Sequence, residues 1–417
     1  MSETHEPTAS NTFDEHSVAS EGSPDAASVE EARALSTISG PRSEWFAPRS
    51  GIGLALSGGG FRASLFGLGS LWRLNDLGWL KSLRRIASVS GGSLTAGVLA
   101  TRWGELRFDS AGRATNFEEV IVGRLRAFCS KTIDRKAILC GLIPFVSAAQ
   151  VARRAYERRL VKLADGRAAR LGDLPAAGTG PDFVFYATCL QTGSSFRFSG
   201  EGLYDWKLGR LARLDISLGT ALAASAAFPP FLSPLRLRTD PTQWIGRPHI
   251  RDFANADRIC SRLRLSDGGI YDNMGIEALW KSMDRVLVSD AGAPFAFVPR
   301  PWTNWPSQLG RVRDILIEQT RALRKRMLIR DLQTKHYSGV YWGINTRIGD
   351  YTATPTLCAD CETTQSLARI STRLKALDVW TQDKLINWGY ALADAAIRTH
   401  VDPQVSCGQF PYPKNAF

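Results

Sequence analysis

The chain has 417 residues, of which 44% are hydrophobic and 22% charged, with a formal net charge of +12. This balance is that of a globular protein and excludes a collagen-like, a mainly disordered or a small disulfide-stapled chain; the length suits one large α/β domain with additions, or two or three domains. Nine acidic against three basic residues put −6 on residues 1–50 and leave +18 on the remainder, so the body favours anionic partners such as nucleic acid or an anionic lipid surface, with general solubility as the plainer reading.

Residues 1–48 are rich in Ser, Ala, Glu and Thr, lack apolar periodicity and are expected to be disordered. No basic stretch followed by an apolar run opens the sequence, so no secretory signal is read and a cytoplasmic location is expected. From residue 50 the pattern is strand, glycine turn, helix. The apolar run 53–56 ends in Ser57-Gly58-Gly59-Gly60, and helical spacing follows through Leu65, Leu68, Leu71 and Leu74. A second run, 86–89, ends in Ser90-Gly91-Gly92 before another helical stretch over 94–103. This β-α-β-α start predicts parallel strands flanked by helices. Further strands are predicted at 183–190, 196–198, 285–289 and 340–344, and helices at about 311–330 and 366–398. The uncharged stretches 137–152 and 216–235 are too short, or too rich in proline, to read as membrane spans.

Three readings fit the first glycine turn. Gly58, Gly60 and Ala63 match a dinucleotide fingerprint, but the next strand ends in Ser88-Val89-Ser90 without the carboxylate that fingerprint needs. Consecutive glycines can also converge backbone N–H groups on one point at a helix N-terminus, as an oxyanion hole does. The turn can equally be a tight strand–helix connection. The second turn has the layout of a nucleophile elbow: Ser90 stands between strand and helix, Gly92 keeps one small position, and Ser88 replaces the glycine of G-x-S-x-G.

A serine nucleophile needs a base. His5 and His16 lie in the tail, and His249, His336 and His400 sit in no orienting motif. Asp267, followed by Gly268-Gly269 at the end of a predicted strand, is the better candidate, with Asp272 and Asp290 as competitors. The seven cysteines are scattered, which suits free thiols in a reducing compartment. Cys358 and Cys361 form a lone CxxC with no second pair, so bystander thiols are expected rather than zinc.

Together, Ser57–Arg62, Ser88–Gly92 and Asp267–Gly269, with the Ala-Ala-Ser-Ala-Ala-Phe-Pro segment at 223–229, resemble the patatin-like phospholipase family of bacterial type: its G-G-G-x-R loop, G-x-S-x-G elbow, D-G-[GA] turn and A-S-x-A-x-P stretch. The resemblance covers about residues 49–295. It implies a three-layer α/β/α fold with a mostly parallel central sheet, carried by residues 49–295, and leaves 296–417 as a mainly helical C-terminal extension packed on that domain. It implies a lipid acyl hydrolase in which Ser90 is the nucleophile and Asp267 the base. Gly58, Gly59 and Gly60 then form the oxyanion loop supported by Arg62, with Ser88 and Gly92 shaping the elbow. No metal or organic cofactor is required. The implied partners are a phospholipid or other acyl-lipid substrate and, peripherally, an anionic membrane, with no nucleic acid. A non-hydrolytic lipid- or partner-binding member of the fold is the alternative.

Two basic segments stand out as membrane contacts. Arg153, Arg154, Arg158, Arg159 and Lys162 follow the uncharged 137–152 stretch, and a docking face there competes with an ordinary buried helix. A second basic run, Arg321–Arg330, can serve the same role or bind a partner.

Overall fold

A computed structural model describes residues 50–417 except 142, 144–146, 247–255 and 281; the acidic segment expected at 1–48 lies outside these. The elements that build the site are, in chain order, β1 (Ile52–Leu56), α1 (Gly60–Asp76), β2 (Leu83–Val89), α2 (Gly91–Arg102), α3 (Ala148–Arg159), β3 (Asp182–Cys189) and β4 (Ser195–Ser199). Then come β5 (Gly202–Asp205), β6 (Gly209–Leu211), α4 (Leu218–Ser225), β7 (Leu235–Arg238), β8 (Arg262–Asp267) and β9 (Arg285–Asp290). The last are α5 (Trp305–Gln333), β10 (Ser338–Gly343) and α6 (Val379–His400).

The sheet runs β10-β9-β1-β2-β3-β4-β5-β6. From β10 to β3 every pairing is parallel; beyond β3 the pairings are antiparallel. The parallel half is the one implied by the β-α-β-α pattern. The antiparallel half makes the whole sheet mixed.

Alternation along the strands sorts side chains into two apolar layers. Leu54, Leu56, Ile86 and Phe185 face the layer containing α1, α2 and α6. Ala55, Ala87, Val184 and Val286 face the layer that includes Ile276, Leu279 and Leu328 of α5. The result is three layers, α/β/α. Helices α1 and α6 cross at backbone contact: a Cβ on Gly69 would strike the Ile386 carbonyl, and one on Gly389 the Phe66 carbonyl. Residues 296–417 are therefore woven into the body, since they supply the edge strand β10 and the helix packed on α1.

Of the two uncharged stretches, 216–235 contains the buried helix α4. The 137–152 stretch divides: Ala137, Ala149 and Ala152 are buried, while Leu139 and Ile143 are exposed. Among the described residues no helix is long and apolar enough to cross a membrane.

Candidate active site

Strand β2 ends at Val89, and Ser90 turns the chain with φ 50° and ψ −116° before α2 begins at Gly91. A positive φ is unfavourable for a residue with a Cβ and persists only where the surroundings enforce it. Here they do. A Cβ on Gly91 would run into the Gly60 carbonyl, so the two glycine turns touch backbone to backbone. The Gly92 N–H donates to the Ser57 carbonyl at 3.1 Å. The Ser64 hydroxyl joins the turns by bonding the Gly91 carbonyl at 2.8 Å.

Strand β3 sets where Asp267 lies. Val89 of β2 pairs with Tyr186, and Asp267 of β8 pairs with Ala187. Those same two β3 residues pair with Arg197 and Phe196 of β4 on the other edge. Hence β2 and β8 share one edge of β3, meeting end to end from opposite directions, and the residues that close them are brought together. Both are nearly buried, Ser90 at 8% and Asp267 at 2% exposure. Asp267 Oδ1 accepts the Gly269 N–H at 2.7 Å. Its Oδ2 is buried without a hydrogen bond of regular geometry to another described residue. Burial raises the Asp267 pKa from the usual 3.8 to about 7, against the opposing pull of the Gly269 N–H and the Ser90 hydroxyl.

The first glycine turn stands beside this pair. Gly59 (φ 149°) and Gly60 (φ 62°) occupy conformations that favour glycine. The Gly58 N–H is taken by the Asn273 carbonyl at 2.9 Å, whereas the N–H groups of Gly59 and Gly60 bond no other described residue. Two of the three loop amides, at the N-terminus of α1, are thus available to an anionic oxygen. Arg62 braces the loop from within the core. Fully buried, it donates to the Ala291 carbonyl at 3.0 Å, to the Ile370 carbonyl and to Thr372 Oγ1 at 3.1 Å. Burial lowers its pKa to about 10, with Asp290 opposing the shift. Phe61 N–H bonds the Arg373 carbonyl at 3.0 Å, so residues 370–373, far outside the sequence motifs, brace the loop.

Ser88 fits because its hydroxyl has work in the core. Ser90 N–H donates to Ser225 Oγ at 2.9 Å, Ser225 and Ser93 hydroxyls are 2.8 Å apart, Ser93 donates to Ser88 at 3.0 Å, and Ser88 donates to the Val184 carbonyl at 3.3 Å. The only direction in which each hydroxyl donates once runs from the elbow amide to β3. Ser225 is the serine of the A-S-x-A-x-P stretch, and that segment also holds the other half of the site: its Ser225 and Ala227 carbonyls accept the N–H groups of Gly268 and Asp267 at 3.2 and 3.0 Å. Ser225 was legible as part of a motif; Ser93, Asn273 and Arg373 carried no signal.

The competing candidates are occupied elsewhere. Asp272 is buried and accepts the N–H groups of Met274 and Glu277. Asp290 accepts from Gly292 N–H and the Tyr341 hydroxyl and faces Arg321; burial pushes its pKa up, but Arg321 and these donors hold it below the usual carboxylate value. His336 packs on Tyr337 and His400 on Tyr351, while His249 lies outside the described residues. Cys361 caps a short helix, Glu362–Ala368. Among the described residues no group of three His, Cys, Asp or Glu is placed to hold a metal ion. A cavity of about 520 Å³ lies apart from Ser90 and Asp267, lined by Arg102, Arg124, Lys131 and Arg159 among others.

The sequence profile described as Patatin-like phospholipase matches residues 54–280, just over half of the chain. No curated protein matches it in sequence. Among solved structures, human GIVD cytosolic phospholipase A2 is 13% identical with a TM-score of 0.47, over 88% of this chain and 61% of that one. VipD from Legionella pneumophila is 18% identical with a TM-score of 0.30, over 60% of this chain and 51% of that one. The chain thus spans about three fifths of the human phospholipase and half of VipD.

Proposed function

The chain belongs to the patatin-like phospholipase family, and on that premise we propose that it is a lipid acyl hydrolase, phospholipase A-like, that cleaves fatty-acyl esters through Ser90 and Asp267. The observation that carries this reading is the strained serine of a strand–helix elbow facing a buried carboxyl whose pKa is raised to about 7. A carboxylate near its usual pKa is a feeble base; one raised toward neutrality is matched to taking a proton from a hydroxyl while still largely ionised in slightly alkaline solution.

In this mechanism Asp267 accepts the Ser90 proton as the serine oxygen attacks the ester carbonyl. The resulting oxyanion is met by the N–H groups of Gly59 and Gly60, each such donor contributing about 3–4 kcal/mol in serine hydrolases. Asp267 returns the proton to the departing alcohol and leaves an acyl-serine. A water that gives its proton to Asp267 then releases the fatty acid. Gly58 and Arg62 hold the loop, and Gly92 and the Ser88 hydroxyl hold the elbow. No step calls for a metal or organic cofactor.

The test is fatty-acid release from mixed phospholipid vesicles by the wild type, Ser90→Ala and Asp267→Asn. Release by the wild type and its loss in both variants is the expected result. Release that survives Ser90→Ala would withdraw the assignment of the nucleophile, and a folded wild type inert toward vesicles and simple acyl esters alike would favour the binding-only alternative.

A further inference from the structure

The α5 helix and the segment leading into it carry an exposed apolar surface. Ten of the nineteen exposed large apolar side chains among the described residues fall between Phe297 and Met327. At the leading end Phe297, Trp302 and Trp305 are 91%, 76% and 83% exposed. Along the helix Leu309, Val312, Leu316, Leu323 and Met327 continue the row at spacings that keep them on one face. From Trp305 to Met327 that row is about 33 Å long at 1.5 Å per residue.

The usual surface helix turns its apolar stripe inward and its charges outward. Here Leu328 is the single buried residue of α5, and much of the attachment to the body is made by arginines. Arg313 donates to the Pro229 carbonyl at 2.9 Å, Arg321 to the Ala293 carbonyl at 2.7 Å, and Arg324 pairs with Glu277 at 2.8 Å. An uncovered apolar row of this extent marks a contact surface.

We infer that this face of α5, with Phe297, Trp302 and Trp305 at its leading end, is the surface by which the protein docks on an anionic lipid leaflet. Tryptophan at the end of an apolar row suits the headgroup boundary, where its ring is half in hydrocarbon and its N–H stays wet. Of the eight basic residues in 297–330, Arg313, Arg321 and Arg324 are paired toward the body, whereas Arg300, Arg326 and Arg330 stand exposed on the segment, so an anionic leaflet attracts it, while two copies meeting face to face would bring these exposed cations together. The helix that carries this face also adjoins the segments of the candidate active site. Pro229, held by Arg313, ends the segment that carries Ser225 and Ala227, and Ala293 follows closely on Ala291, the partner of Arg62. Docking there brings the dyad to the layer that contains its ester. The inference rests on the lipid-hydrolase reading above only for the purpose of docking, not for its occurrence.

The experiment is flotation of the full chain with phosphatidylcholine vesicles, with and without phosphatidylglycerol. It compares the wild type with the double variants Trp302→Ala/Trp305→Ala and Leu309→Glu/Leu316→Glu, with circular dichroism to confirm the fold. Hydrolysis of a water-soluble short-chain ester is measured in parallel. The wild type is expected to float with phosphatidylglycerol vesicles, and both variants to lose about tenfold or more of that affinity while short-ester hydrolysis is unchanged. Loss of binding by the variants when the wild type hydrolyses no ester would support the docking face and sink the hydrolase reading. Vesicle binding that is absent in the wild type or unchanged in both variants would overturn the docking face. So would a doubled mass in solution that the substitutions halve, which would make the face a contact between copies.

Discussion

The N–H of Ser90 and the hydroxyl of Ser225 are 2.9 Å apart, and this bond ties the strained elbow to the segment that also receives the Asp267 backbone. Ser225→Ala leaves the elbow amide without its acceptor inside the core, at a cost of about 1–3 kcal/mol. Thermal unfolding is expected to shift down accordingly. Ester hydrolysis is expected to lose turnover, with KM little changed, because the positive φ of Ser90 loses its support.

The raised pKa of Asp267 gives two opposite pH trends. On the proposed mechanism the ionised carboxylate is the base, so kcat/KM is expected to climb as pH passes through about 7. Stability moves the other way. Between the unfolded value near 3.8 and the folded value near 7, the folded chain holds a proton that the unfolded chain has released, so stability falls as pH rises through that window. Asp267→Asn removes the buried charge. The variant is expected to be inactive yet to gain in melting temperature over the wild type at pH 8, with little gain at pH 4, as paired scanning calorimetry at the two pH values would read.

Ser88→Gly restores the small residue usual in a nucleophile elbow, but removes the hydroxyl that accepts from Ser93 and donates to Val184. It is expected to cost about 1 kcal/mol of stability and to leave esterase activity within a few-fold of the wild type. A large gain in activity would mean that Ser88 distorts the elbow.

Arg62→Lys is expected to behave as a disruptive change. A lysine cannot reach the Ala291 carbonyl, the Ile370 carbonyl and Thr372 together, as the planar guanidinium does. Stability is expected to fall by roughly 2–4 kcal/mol and hydrolysis by more than tenfold as the Gly59 and Gly60 amides lose their setting. Urea unfolding and initial rates on a soluble ester measure both.

Gly60→Ala is expected to be worse still. It places a Cβ at φ 62° against the Arg373 backbone, so both the conformation and the space oppose it. Low soluble yield and no detectable hydrolysis are the expected outcomes.

Much of the frame of this candidate site is legible in the sequence. The runs at 53–56 and 86–89 became the paired strands β1 and β2, and their glycine turns lie side by side because parallel neighbours end at the same edge. The helix expected over 311–330 is the longer α5, but the stretch 366–398 breaks into two helices with residues 370–373 between them, where Arg62 and Phe61 find partners. The strands β5, β6 and β7 have three or four residues each, too few to show alternation. Asp267 stood out by its glycines, yet its place beside Ser90 depends on the register of β8 on β3, which no local pattern encodes. The engagement of the Gly58 amide by Asn273 is likewise a tertiary event.

The shared edge of β3 also bears on when the molecule becomes competent during its own synthesis. A nascent chain that has emerged through β3 can already form the β1–β2–β3 parallel core with its serine elbow, while the edge positions at Ala187 and Thr188 wait for β8. That pairing closes a long loop and is the kind of distant contact that forms slowly. On the proposed mechanism the half-made protein holds a serine with no base, and hydrolysis begins only when β8 seats against β3. A temperature or denaturant that releases β8 alone would silence the enzyme while leaving the parallel half of its sheet folded.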